Sequence, residues 1–333
     1  MLIYIILLIW LLAIQFFKKN RIVYLLTFSF LLLLGGLRGV DVGTDTKNYM
    51  ELYEMLHDDA GTLYVMSKTE PLWVLLNKLV ICTVDNYQWV IFLGLFLAIT
   101  PIFVRSWVSC KSPYIAILFY VLLYYYFNSF NIARQMIALG IVFFSYPFWE
   151  KEQKKKAIAY TALAMMFHFT AFFAFFIPLV KRVRLNVGFV FLALPMTYLL
   201  GALVLPSFIP MLPIVGKYSS YIEVNSNANL SITRLLLNAF FLLLFIQARG
   251  VSKDIYFKLF FIGIVLYNLL TFSPAMGRCA LYFILAQLIV FSNLSRYKLN
   301  TIFVWCMILF YGLFYYVTSL SENNCGIVPY MLA

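Results

Sequence analysis

The chain has 333 residues, 64% of them hydrophobic and only 11% charged, with a formal net charge of +12 and a mean hydropathy of +0.91. A soluble domain carries roughly 25% charged residues, so a soluble globule is excluded. Runs such as FFLLLFIQ do not alternate in polarity, which excludes an outer-membrane barrel as well. The composition predicts an all-α, polytopic integral membrane protein, and the basic excess is then the Lys and Arg of cytoplasmic loops rather than a nucleic-acid surface.

From the N-terminus, MLIYIILLIWLLAIQFF lacks a charged n-region and a small-residue cleavage site, so it predicts a first span rather than a cleaved signal. Basic clusters at 18–21, 105–111, 150–156, 181–184, 249–253 and 296–298 read as cytoplasmic. They predict ten full crossings, near 2–17, 22–37, 87–104, 113–128, 132–149, 187–205, 231–247, 255–272, 278–293 and 300–317, with both termini outside. The whole forms a single transmembrane domain, 1–333, with external loops at 38–86 and 206–230.

The first external loop is polar and acidic: residues 38–70 hold seven of the thirteen Asp and Glu. Gly43 permits a turn, and Thr44, Asp45 or Thr46 suit the cap of a helix over about 47–57 with Tyr49, Leu52, Tyr53 and Leu56 on one face. Asp45 can cap that helix, pair with Arg38 or accept hydrogen bonds from a sugar. The next segment, 71–84, has helical spacing of Leu72, Leu75, Leu76 and Leu79 behind Pro71, but is short for a span, so an interfacial or re-entrant helix is expected. Residues 157–180 lie between two basic clusters. They predict a re-entrant pair of half-helices turning near His168, with one tilted span as the alternative.

Four arginines sit where predicted spans meet the outside, against the charge rule: Arg38, Arg134, Arg234 and Arg278. Each can snorkel its head into the interface. Together they point to a shared anionic partner such as a lipid-linked phosphate, which the planar guanidinium grips in bidentate fashion. His168, alone in an apolar stretch, is open between a packed hydrogen-bonding role and general-base work. Tyr and Phe number 24 and 34; clusters such as YYYFNSFN at 124–131 read as a membrane-interface belt, or as a sugar-stacking wall beside Arg134. The five cysteines have no metal-ligand spacing and are read as packing residues, with no metal expected. No Walker or GxGxxG pattern occurs.

LRGVDVGTDTKNY, EPLWVLLNKLV, ARQMIALGIVFFSYPFWEKEQKKKAIAYTALAMMFHFTAFFAF and GRCALYF follow one another from residue 37 to about 283. In content and order these blocks resemble the EpsG-type family, which includes O-antigen polymerases of the Wzy type and related exopolysaccharide polymerases. The resemblance implies a glycosyltransferase without cofactor in a bacterial inner membrane, its active site facing the periplasm. Such an enzyme transfers an undecaprenyl-pyrophosphate-linked glycan to the non-reducing end of a lipid-linked repeat unit. A chain-length-regulating membrane protein is a candidate partner.

Because the donor is already activated, the protein's task is to stabilise the departing pyrophosphate and place the acceptor hydroxyl. On this expectation Arg38, Arg134 and Arg278, with Arg234 beside them, bind the pyrophosphate. Asp45 or His168 handles the acceptor hydroxyl, and Tyr49, Tyr53 and Tyr282 contact sugar. An O-antigen ligase, or a lipid-linked oligosaccharide flippase, is the competing expectation. A flippase would favour matched internal repeats, and none is visible.

Overall fold

The computed structural model describes residues 1–208, 231–248, 251–270, 273–299 and 301–333. The described residues are all-helical, with one isolated antiparallel bridge between Arg38 and Leu332. They form two compact units, Met1–Phe172 with Gly312–Ala333, and Phe173–Tyr311.

In the first unit the helices are α1 (Leu2–Ala13), α2 (Arg21–Gly36), α3 (Thr46–Met55), α4 (Asp59–Lys68), α5 (Pro71–Thr83), α6 (Tyr87–Ser109), α7 (Pro113–Leu122), α8 (Tyr125–Asn128), α9 (Ala133–Glu150) and α10 (Lys154–Met165). Helix starts follow the side chains available to them. Asn20 accepts from the Ile22 amide (2.8 Å), Asn86 from Gln88 (2.9 Å) and Asp58 from Gly61 (2.5 Å), each satisfying an otherwise orphaned N–H. Helix α6 packs against α2 and α9, and α9 against α10. Where Gly140 of α9 faces α6, a β-carbon would lie 2.7 Å from the Ala98 carbonyl oxygen, so only glycine admits that backbone contact.

The second unit contains α11 (Ile177–Arg182), α12 (Val187–Leu199), α13 (Leu205–Phe208), α14 (Ile232–Gln247), α15 (Ile255–Leu270), α16 (Pro274–Gly277), α17 (Leu281–Ile284) and α18 (Gln287–Ser292). Helix α15 packs against α11, α12, α14 and α17. Phe241 meets Phe257, Phe260 and Phe261 at its centre. Asn238 and Asn268 donate to each other's side-chain carbonyls at 3.0 and 2.8 Å. That pairing satisfies two amides inside an apolar bundle. The last helix, α19 (Ile302–Ser321), has residues in both units.

Three helices among the described residues are long and apolar enough to cross a membrane: Tyr87–Ser109, Val187–Val204 (α12 extended by a π-turn) and Ile302–Ser321. Helix α9 is as long, at 18 residues, but less apolar, and the other apolar helices are shorter. The expected crossing 113–128 is split into α7 and α8 at Tyr124, whose φ is +65°. That at 278–293 is split by a turn at residues 285–286. The chain is a membrane protein, but these elements do not make up ten uninterrupted spans. Residues 209–230 of the second external loop lie outside the described residues.

The loop expected to be external, 38–86, is helical despite its polarity. Helices α3, α4 and α5 bury Leu56, Val65 and Val74 in a small core edged by Leu52 and Ile81. The expected 71–84 helix is α5, beginning at Pro71. Helix α4 was not foreseen; its acidic start is used in capping. His57 Nε2 and the Tyr53 hydroxyl both meet Asp85 Oδ1, at 2.8 and 2.9 Å, tying α3 to the turn before α6. Residues 154–182 break near His168 as expected, α10 ending at Met165 and a 3-10 stretch resuming at Phe169.

Candidate functional site

The break at His168 and the start of α5 complete one another. Pro71 occupies the first helical position of α5, and the residue before a proline is held extended; Glu70 accordingly has ψ 149°. The Leu72 amide, lacking an intrahelical partner, donates to the Met166 carbonyl at the end of α10 (3.0 Å). In return the Phe169 amide donates to Glu70 Oε1 (3.0 Å). Two helix ends thus satisfy each other's orphan groups, and the exchange fixes the Glu70 carboxylate at the break.

Glu70 then bridges two candidate residues. Its Oε2 accepts from Arg134 Nη1 at 2.5 Å, and its Oε1 lies 2.9 Å from His168 Nδ1. The side chains of Arg134, Glu70 and His168 are 21%, 17% and 24% exposed, so the cluster is sheltered but open to the surface. Burial acts to raise the Glu70 carboxyl. The bonds from His168 and Phe169 and the Arg134 charge outweigh it and hold the carboxyl at about 2. An ionised carboxylate can only accept, so His168 carries its proton on Nδ1, leaving Nε2 as the basic nitrogen.

Arg134 opens α9, where its charge adds to the positive end of the helix dipole. Its guanidinium lies 5.8 Å from the centre of the Tyr49 ring, and its Nε is buried without a partner. Tyr49 in turn packs on Trp73, ring centres 5.1 Å apart. A helix N-terminus and a guanidinium that is about a fifth exposed beyond its bond to Glu70 make a place where an added anion would find donors.

Arg38 sits differently. It is 3% exposed, donates to the carbonyls of Val42 (3.3 Å), Phe130 (3.4 Å) and Gly35, and stacks at 4.2 Å on the Phe130 ring. Gln88 donates to the carbonyls of Gly36 (2.7 Å) and Arg38 (3.1 Å), and Tyr330 to that of Leu34 (2.7 Å). Arg38 is therefore a cation that joins the Gly35 carbonyl in the last turn of α2 to the carbonyls of Val42 and Phe130, and it is not paired with Asp45. The loop it anchors is sewn to the C-terminal tail: Gly39 N–H to Met331 O (2.9 Å), Gly43 N–H to Gly326 O (3.0 Å) and Ala333 N–H to Leu37 O (3.0 Å). Asn131 joins both, accepting from Thr44 N–H (2.7 Å) and donating to Cys325 O (3.1 Å). Gly43, at φ +106°, makes the turn that brings these partners together.

Asp45 occupies the cap position of α3, but its carboxylate makes no capping bond and instead accepts from Thr44 Oγ1 (3.3 Å). Thr46 does the local anchoring, donating to Val42 O (2.9 Å). Tyr53 is buried with its hydroxyl on Asp85, and Tyr282 is fully buried, so neither presents a face to a sugar in this structure; Tyr49 is partly exposed. In the second unit Arg234 is buried, 5.4 Å from the centre of Tyr198, whereas Arg278 is exposed at the start of a short 3-10 turn. Glu70 is the residue that sequence reasoning passed over as a site member. Its signal was a carboxylate directly before a proline helix start, at the head of EPLWVLLNKLV.

No curated protein and no solved structure matches the chain. The model of the EpsG family matches residues 21–332, and so includes Glu70, Arg134 and His168. With that match spanning nearly its whole length, the chain belongs to the EpsG family.

Proposed function

We propose that the chain is a polysaccharide polymerase that joins glycan units carried on undecaprenyl pyrophosphate, working at the periplasmic face of a bacterial inner membrane. The observation that carries this reading is the Glu70 carboxylate bridging His168 and Arg134. His168 Nε2 removes the proton from the hydroxyl at the non-reducing end of the acceptor. The hydroxyl oxygen bonds to the donor's anomeric carbon. The bond from that carbon to the pyrophosphate oxygen breaks, and the lipid pyrophosphate leaves with the electron pair. Arg134, at the head of α9, stabilises the charge that builds on the leaving group. Glu70 keeps His168 in the basic tautomer and stabilises its protonated form.

Arg38 holds the end of α2 and the 38–46 loop rather than the phosphate. Arg278 remains a proposed pyrophosphate ligand on the sequence pattern alone, and Arg234 a weaker one. Asp45 and Tyr49, near the start of α3, are proposed to meet the acceptor glycan.

The test is purified protein with defined lipid-pyrophosphate-linked repeat units, scored as a polymer ladder. The wild type is expected to build the ladder and His168→Ala to leave single repeats. Full ladders from His168→Ala, or transfer only to a lipid A-core acceptor, would overturn the assignment; the second result would indicate a ligase.

A further inference from the structure

At the other end of α2, an apolar groove of about 490 Å³ runs between α2 and α6. Its walls include Leu25, Phe28, Phe96, Val104 and Trp107, with Arg21 at its mouth. The polar atoms in the wall are already used: the Tyr24 hydroxyl donates to Phe103 O (2.9 Å) and Thr100 Oγ1 to Phe96 O (2.6 Å). What remains is a hydrocarbon surface.

From Val108 to Phe96 the groove follows α6 for about 18 Å at 1.5 Å per residue. One leaflet of bilayer hydrocarbon is about 15 Å deep. The groove therefore has the length of a single lipid chain reaching from the interface to the midplane.

The mouth is cationic. Lys18, Lys19 and Arg21 are exposed there, and Lys19 Nζ is fixed on the Trp107 carbonyl (2.6 Å), 4.6 Å from the Trp107 ring. Neither segment that builds the groove holds a compensating acid: residues 1–37 and 86–149 contain no Asp or Glu. An uncharged lipid would fill the apolar wall and leave this charge unanswered, and a zwitterionic headgroup offsets its phosphate with its own cation. A headgroup whose phosphate leaves a net negative charge at the interface answers it.

We infer that this groove binds one anionic diacyl phospholipid, with a chain along Phe28 and Phe96 and its phosphate at Arg21. This site is independent of the glycan chemistry proposed above.

The protein is placed in phosphatidylcholine vesicles containing a rising fraction of phosphatidylglycerol brominated on its chains. Quenching of Trp107 is isolated by subtracting the Trp107→Phe signal. Half-quenching is expected at a fraction ~5-fold below that needed with brominated phosphatidylcholine, the ratio one interfacial cation supplies. Arg21→Gln should reduce the difference and Arg21→Lys should keep it. Equal quenching by the two lipids, or an undiminished preference in Arg21→Gln, would overturn the inference. So would relief of quenching by unbrominated polyprenyl phosphate at a lower fraction than by unbrominated phosphatidylglycerol, which would assign the groove to an isoprenoid lipid.

Discussion

Arg38 and Arg134 look alike in the sequence, each an arginine at the apolar edge of a helix, but they stand in opposite situations. Arg38 lies among the backbone carbonyls of Gly35, Val42 and Phe130 and is almost fully buried. Arg134 meets one carboxylate, keeps a buried Nε without a partner, and is about a fifth exposed. A guanidinium enclosed by carbonyls closes a helix end. One that shares a carboxylate with a histidine retains capacity for an incoming anion. What an arginine can do here is set by what already occupies its donors.

The sharpest way to break this contrast is at His168, the proposed base. His168→Ala should lower turnover by ~10²–10⁴-fold, the usual worth of a general base, with membrane insertion and acceptor KM little changed. Glu70→Gln should cost about 10²-fold in turnover, because a neutral amide no longer fixes the tautomer or stabilises the imidazolium; Glu70→Asp should recover part of it. At the other arginine the expected loss is in stability. Arg38→Gln removes the charged donor to the Gly35 carbonyl at the end of α2 and should cost about 1–3 kcal/mol, read as a lower thermal midpoint in detergent. Arg38→Lys should rescue it poorly, since one ammonium cannot span the same carbonyls.

A smaller effect concerns pH. The folded Glu70 carboxyl is held at about 2 against its ordinary 4.5. Its folded value is depressed, so its contribution to stability is whole above pH 4.5 and is lost as pH falls through 2. The difference in thermal midpoint between wild type and Glu70→Gln should be flat from pH 5 to 7 and shrink below 4.5. A difference that instead vanishes between pH 6 and 7 would mean the carboxyl is not held ionised by the cluster.

The local periodic features were legible in the sequence. Apolar runs located α2, α6, α14, α15 and α19, helical spacing located α5, and the basic clusters on either side of 157–180 pointed to a turn near His168. Pairings across long sequence separations were not legible. Glu70 joins residues 64 and 98 positions away, and Asn131 joins the 38–46 loop to a tail 194 positions on. Neither periodicity nor capping rules address such partners, which arise only when α5, α9 and the 166–169 break are packed together. The same limit explains Asp45: its cap position was readable, but Thr46 took the anchoring role through Val42 and Phe130. The break inside the expected 113–128 crossing was not legible for a related reason, since an apolar run reads the same whether or not a residue such as Tyr124 turns into the left-handed region within it.

The central claim is that Glu70 acts on catalysis through His168. The most direct measurement is a double-mutant cycle on turnover with purified protein and defined lipid-linked repeats, comparing Glu70→Gln, His168→Ala and the double variant. If Glu70 works through the imidazole, the double variant loses no more than His168→Ala alone. Losses that multiply across the two single variants would contradict that coupling and make Glu70 and His168 independent contributors.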